Sequence, residues 1–364
     1  MTAQERTVAV LGGGAGARAA AAELALAGWQ VRLWDLPEFI DGIAMLLGDH
    51  HLEVDGLTEG RAELQLATDD IRDACEGASL LLIVAQAAGH RPIAEALAPA
   101  VTYDQTVVVV PGSTGGALQV AQVITDVRGF APTVAETSTL PYAARTWGER
   151  GVTINHHVKL VKLAARPPSE TRRVVRGLKP AFGGLQAAAN VLETSLSNGN
   201  PLIHPAVMLL NAAFIERVEG AWEFYADGVT PAVARVIEDL DEERLALGRA
   251  MGLELVPEPE MSLRQGYSKV ADYLVAYRDG PGFQDLGGPD SLQHRYLTED
   301  VAFALVTWLE LAEVFGVAMP TAEAIVRLAS SVLDEDLRSD PARGLDALGL
   351  AGMSAEQIVA YCCG

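Results

Sequence analysis

The chain is short of several things, and each shortage removes a class of answer. Its 364 residues include three cysteines, Cys75, Cys362 and Cys363, two of them adjacent. That is no disulfide framework, and it points to a reducing cytoplasm. No CxxC or HxxxH spacing occurs, and the neighbouring histidines His156 and His157 would point to opposite faces of a strand, so no metal site is expected. Basic residues are outnumbered, 27 Lys and Arg against 48 Asp and Glu, for a net charge of −21, which disfavours nucleic acid and anionic membranes as partners. No apolar run reaches the roughly 18–20 residues of a spanning helix, and no basic-then-apolar leader opens the chain. A GxSxG nucleophile elbow is also missing, because Gly112-Ser113-Thr114-Gly115 is out of register for one.

What is present begins at the start. An apolar run, Thr7 to Leu11, reads as a buried parallel strand. Gly12-x-Gly14-x-x-Ala17 follows and opens an alanine-rich helix, Ala15 to Ala27, stopped by Gly28. A second strand, Gln30 to Trp34, then delivers Asp35. In this arrangement Gly12 permits a tight turn and Gly14 lets a pyrophosphate approach the backbone. Ala15 and Gly16 begin the helix whose N–H groups face the phosphates, and Ala17 allows close helix–strand packing. An acid roughly twenty residues on accepts the ribose hydroxyls. Asp35, followed by Leu36-Pro37 rather than a cation, favours NAD, with NADP open through Arg32 or a residue from elsewhere.

Further strand and helix patterns alternate through the first half. Leu80 to Val84 and Thr106 to Val110 are strand-like, with a helix from Arg91 to Leu97 between them. After a second Gly-rich stretch, Pro111 to Gly116, comes a helix to about Val127. Thr133 to Glu136, Val152 to Asn155 and Val158 to Ala164 read as more strands. Beyond Ala187 to Ser197 the character turns helical, with Pro205–Val218, Thr230–Met251, Thr298–Phe315 and Ala322–Asp334 as candidates and a short helix after Ser354. The expected fold is therefore α/β: a doubly wound Rossmann-type sheet over 1–190 and an all-α domain over 191–364, with a substrate cleft between them.

Three segments outside the nucleotide turn carry chemical groups. His204 lies in Ser197-Asn198-Gly199-Asn200-Pro201-Leu202-Ile203-His204-Pro205, and Pro205 suits the first position of a helix, which would put His204 at its N-terminus. A histidine there is a proton donor and acceptor near neutral pH, or alternatively a capping side chain. In Arg295-Tyr296-Leu297-Thr298-Glu299-Asp300, Thr298 reads as an N-cap with two acids in the first turn, and Arg295 is placed to grip a carboxylate. Glu136 to Arg145 offers the hydroxyls of Thr137, Ser138 and Thr139.

Taken together, these segments resemble the octopine/nopaline (opine) dehydrogenase family over nearly the whole chain. The resemblance rests on the Gly12–Ala17 turn, Pro111 to Leu118, the Asn-x-Asn-x-x-x-His-Pro run from Asn198 to Pro205, and Arg-Tyr-x-x-Glu-Asp-Val from Arg295 to Val301. It is closest to bacterial enzymes that join a 2-oxo acid to the amine of an amino acid. The resemblance implies reductive condensation through an imine with NAD(P)H. It makes His204 and Asp300 the catalytic pair, Arg295 the holder of the oxo-acid carboxylate, and Thr139 a further substrate contact. It departs from the family at Ala15, where many relatives have Asn, at Ala144, where Cys is common, and at Ala302-Phe303-Ala304-Leu305, where Pro and then Gly-Leu are usual. Those departures leave the amine open. A hydroxy acid dehydrogenase working without amine and a non-catalytic NAD-binding protein are the alternatives. The apolar helical half is compatible with a homodimer.

Overall fold

The computed structural model describes residues 6–339 and 341–363. The chain divides into two compact units, one running to Thr194 and taking in Cys362 and Cys363, the other Ser195–Tyr361.

Among the described residues the first unit holds twelve strands: β1 (Thr7–Leu11), β2 (Gln30–Trp34), β3 (His51–Gly56), β4 (Gly60–Glu63), β5 (Leu66–Thr68), β6 (Leu80–Ile83), β7 (Thr106–Val109), β8 (Thr133–Thr137), β9 (Tyr142–Trp147), β10 (Gly151–His157), β11 (Val161–Arg166) and β12 (Leu185–Ala187). Eight form one sheet in the order β12-β11-β8-β7-β6-β1-β2-β5. Every pairing in it is parallel except β8 with β11. The unbroken buried runs of β1 from Val8 on, β6 and β7 explain why these strands are continuous apolar stretches rather than alternating ones. The chain leaves β1 toward β2 on one side and returns to β6 on the other. The strand order thus reverses between β1 and β6, the place where an open α/β sheet makes its ligand crevice.

A second sheet, β4-β3-β10-β9, was not expected as a sheet. Its strands expose charged faces, as in β4 with Arg61 and Glu63, so they lack the apolar signal of the main sheet. The strand expected over Val158–Ala164 begins instead at Val161, and it belongs to the main sheet while β10 belongs to the smaller one. The helix expected from Arg91 starts earlier, at Ala87, and carries Pro92 inside it.

The second unit is helical. Helix Asn200–Leu210 packs against Arg295–Asp300, Pro231–Ala250 and Pro320–Leu333. Thr230 caps the Pro231 helix by accepting the Val233 N–H. Phe224, Tyr277 and Trp308 are among the largest fully buried side chains. No helix among the described residues is long and apolar enough to cross a membrane.

Candidate active site

In the first unit the geometry centres on the turn after β1. Gly12 has φ +129°, and a β-carbon there would lie 2.3 Å from the Val84 carbonyl oxygen, just past β6. Only glycine fits. Gly14 is the N-cap of helix Ala15–Leu26, with no side-chain cap and no acid in the first turn. A β-carbon at Gly14 would meet nothing within 4 Å. The helix start is therefore an open cradle of unfilled N–H groups with the positive end of the dipole behind it, a fit for a pyrophosphate. Ala15 and Gly16 form the first turn, Leu140 side-chain atoms approach Gly16, and Ala17 is buried against the strand side.

Asp35 is buried at the carboxyl end of β2. Its Oδ1 accepts the Leu36 N–H at 2.9 Å. Burial pushes its carboxyl above the ordinary aspartate range, and the Leu36 and Gly13 N–H groups and Arg18 offset only part of this. Arg18 is itself buried, donating from Nε to the Gly13 carbonyl at 3.1 Å, from one terminal nitrogen to Glu149 at 3.0 Å and from the other to Gly42. With its donors tied to three carbonyls, Arg18 serves the turn rather than a ligand phosphate. Arg32 is also committed elsewhere, to Gln65, Asp73 and Glu76.

The second Gly-rich stretch differs. Glu136, fully buried at the end of β8, accepts the Ala117 N–H at 2.8 Å through Oε2 and the Thr194 hydroxyl at 2.7 Å through Oε1. The start of helix Gly116–Arg128 is thus already occupied by a carboxylate of the protein. Thr139 lies half-buried in the turn after β8, within this same unit.

In the second unit, His204 and Asp300 come together from segments far apart in the chain. The His204 Nδ1 lies 2.7 Å from Asp300 Oδ2, and both side chains are about nineteen-twentieths buried, at 5% and 7% exposure. A carboxylate can only accept, so Nδ1 carries a proton, and in the neutral ring Nε2 is the bare nitrogen. The Tyr225 hydroxyl lies 3.1 Å from that Nε2. The Tyr296 ring stacks on the imidazole at 4.0 Å between centroids, and Phe224 meets it edge-on at 5.6 Å. Sequence reasoning missed Tyr225, Phe224 and Tyr296 as parts of this cluster. Tyr296 sits inside a quoted motif, but Phe224 and Tyr225 belong to no regular element and carry no local signal.

Two helix starts differ from expectation. The His204 helix begins at Asn200 with Pro201 in its first turn, so His204 is not at the N-terminus and Pro205 lies inside the helix. Two prolines four apart each suit a first turn, and the earlier one takes it. Likewise Thr298 is no N-cap. Helix Arg295–Asp300 is capped by His294, whose Nδ1 accepts the Tyr296 N–H at 3.3 Å. Burial, then Arg295 and His204, hold His294 below the ordinary histidine range, which keeps Nδ1 free to accept. Asp300 is consequently the last residue of its helix rather than a first-turn acid, and a π-turn, Val301–Leu305, follows it directly. Such turns recur beside functional groups because they re-aim side chains. Arg295 Nε contacts Glu299 Oε2 at 3.2 Å, and the Arg295 side chain remains 42% exposed, with its Nη atoms unengaged among the described residues.

Residues 187–333 match the family described as NAD/NADP octopine/nopaline dehydrogenase, alpha-helical domain. The chain is 34% identical over 361 residues, 98% of each chain, to an opine dehydrogenase of Arthrobacter sp. (strain 1C). In fold it is similar to an octopine dehydrogenase solved with NADH and L-arginine, with TM-score 0.75, 21% identity, and 97% and 98% of the two chains covered. It is also similar to a yersinopine dehydrogenase bound to NADP+, with TM-score 0.73, 16% identity, and 99% and 98% covered. With that identity running from the nucleotide turn through the His204 and Asp300 segments to the end, the chain belongs to the octopine/nopaline (opine) dehydrogenase family.

Proposed function

We propose that the protein is an NAD(P)H-dependent opine dehydrogenase that condenses a 2-oxo acid with the amine of an amino acid or related amine and reduces the product. The observation that carries this reading is the buried His204–Asp300 contact, set beside the family match. In the balanced reaction, one oxo acid, one ammonium, one NADH and one proton give a secondary ammonium, NAD+ and water. NADH, when bound, supplies the hydride.

The protein's own groups handle the rest. Asp300 holds the His204 Nδ1–H and stabilises the imidazolium when it forms. His204, through Nε2, takes a proton as the amine adds to the carbonyl carbon, and gives one to the hydroxyl that leaves as water. Arg295 grips the oxo-acid carboxylate with its free Nη fork. Thr139 is a further substrate contact. Gly12, Gly14, Ala15, Gly16 and Ala17 form the pyrophosphate cradle, and Asp35 takes the ribose hydroxyls. The open helix start at Gly14 and the bonded commitments of Arg18 and Arg32 support NADH as the first choice, and the NADP+ complex of the yersinopine enzyme supports NADPH as an accepted second. The L-arginine in the octopine dehydrogenase complex supports an amino acid as the amine. The free thiols Cys75, Cys362 and Cys363 fit a cytoplasmic setting.

The test follows NADH absorbance with pyruvate alone and then with amino acids and simple amines. Oxidation that needs both partners is the expected result. Oxidation with pyruvate alone, unchanged by amine, would replace this reading with a hydroxy acid dehydrogenase. His204→Ala should lower turnover by roughly 10²–10⁴-fold with NADH binding intact.

A further inference from the structure

The cluster around His204 contains a hydroxyl that the reaction scheme does not use. Asp300 occupies Nδ1, and the nitrogen that must exchange protons with substrate, Nε2, has a single hydrogen-bond partner among the described residues, the Tyr225 phenol at 3.1 Å. Since Nε2 is bare in the neutral ring, the phenol O–H donates to it. Tyr225 is locked in place by its neighbours. Its ring meets Phe224 edge-on at 4.9 Å, packs on Phe283 at 4.5 Å and stacks over Tyr277 at 6.5 Å.

We propose that Tyr225 is a positioning residue of the reaction, holding His204 Nε2 as the proton-accepting nitrogen and keeping the imidazole in place through both of its protonation states. A phenol suits that task because its oxygen both donates and accepts. While the ring is neutral, the O–H points at Nε2. Once Nε2 has taken the amine proton, Nε2–H donates to the phenol oxygen instead, and the exchange reverses when the proton goes to the leaving hydroxyl. No proton is gained or lost by Tyr225 over the cycle. Burial holds the phenol well above its ordinary range, so it stays protonated at working pH. The charged and titratable groups acting on this pair are Asp300, Tyr296 and His294 on the histidine, Glu258 and Tyr267 on the phenol, and Arg295 through Asp300 and Tyr296.

The inference rests on the reading of the protein as an opine dehydrogenase, and its test separates the two. The parent, Tyr225→Phe and the control Tyr277→Phe are assayed with NADH, pyruvate and the best amine across pH. Tyr277 is the control because its buried hydroxyl has no hydrogen-bond partner among the described residues. For Tyr225→Phe, kcat falls by about tenfold, the scale of one hydrogen bond, with little change in KM for pyruvate. The limb of the kcat profile set by the general acid–base group also moves to lower pH, because the charge-assisted bond from Nε2–H to the phenol oxygen is the stronger of the two and its loss disfavours the imidazolium. Tyr277→Phe leaves both unchanged. A merely structural loss would lower the whole profile without moving it. An unchanged kcat, or a lowered but unshifted profile, overturns the proposal.

A second measurement needs neither turnover nor a Tyr225 variant. In the 15N-histidine-labelled parent, with His204 assigned by comparison with His204→Asn, NMR should show Nδ1 protonated and Nε2 bare and hydrogen-bonded. A protonated Nε2 with a bare Nδ1 overturns the proposal, whatever the activity assay says. A parent silent in every assay defeats the functional reading alone.

Discussion

Two glycine-rich turns in the first unit follow parallel strands and open helices, yet they are built for different ends. After β1, Gly14 leaves the helix start empty, with open space where a side chain would be. After β7, the helix start at Gly116 is filled from within by Glu136, which accepts the Ala117 N–H and is steadied by Thr194. Both turns are rich in glycine, although the second also carries Pro111, Ser113 and Thr114. What separates them is a carboxylate contributed by a neighbouring strand. A helix N-terminus is an anion site only while no resident anion has taken it.

That contrast can be broken by substitution. The largest effect is expected from Gly12→Ala. Its φ of +129° and the approach of the Val84 carbonyl leave no room for a methyl group, so urea unfolding should show a loss of about 2–4 kcal/mol, with NADH binding lost alongside. Glu136→Gln comes next. Both Glu136 oxygens accept hydrogen bonds, and an amide keeps only one acceptor, so Thr194 must turn its hydroxyl to the Val191 carbonyl and a charge-assisted pair becomes neutral; stability should fall by about 1–2 kcal/mol in the same assay. Gly14→Ala should behave in the opposite way. The open space around Gly14 leaves only the N-cap preference for glycine over alanine, so stability should fall by no more than about 1 kcal/mol, while NADH affinity, read by fluorescence titration, weakens by about tenfold. If Gly14→Ala destabilises as Glu136→Gln does, the two turns do not differ in kind.

A pH-dependent effect sharpens the comparison from the second unit. Glu258 is also a buried glutamate at a helix start, but its Oε2 has no hydrogen-bond partner among the described residues. Burial first, then Asp241, push its carboxyl from 4.5 up to about 8, with Arg244 opposing. A carboxyl raised in the folded state contributes fully below its unfolded value of 4.5 and loses that contribution as pH climbs toward about 8. Glu258→Gln cannot ionise. Thermal melts should therefore show the variant level with the parent near pH 4.5 and more stable at pH 8. A gap that widens toward acid would reverse the assignment.

How much of this was legible in the sequence depended on range. The β1 turn, the β2 strand and Asp35 were readable because buried parallel strands announce themselves as apolar runs and the glycine spacing is local. The small sheet was not, since strands such as Gly60–Glu63 bury little and alternate charge with small residues. Helix starts were misplaced at Pro205 and Thr298 because local capping preferences named the right residue types at the wrong positions, and Pro201 and His294 took those roles instead. His204 and Asp300 were paired only by resemblance, since nothing in their spacing implies contact. Tyr225 had neither motif nor periodicity to mark it.

The π-turn after Asp300 carries a consequence for how this family can vary. Helix Arg295–Asp300 and helix Val306–Phe315 form one rod with a single extra-wide turn between them. Each residue of a helix advances its neighbours by about 100° around the axis. Removing one residue from Val301–Leu305 would therefore leave the buried face of Val306–Phe315 where it is and rotate Arg295 and Asp300 by more than a quarter turn away from the imidazole. Chain length in those five positions is thus a constraint of its own, independent of which side chains they carry. Substitutions there, such as the Ala302-Phe303 departure, cost the active site far less than a gap of one.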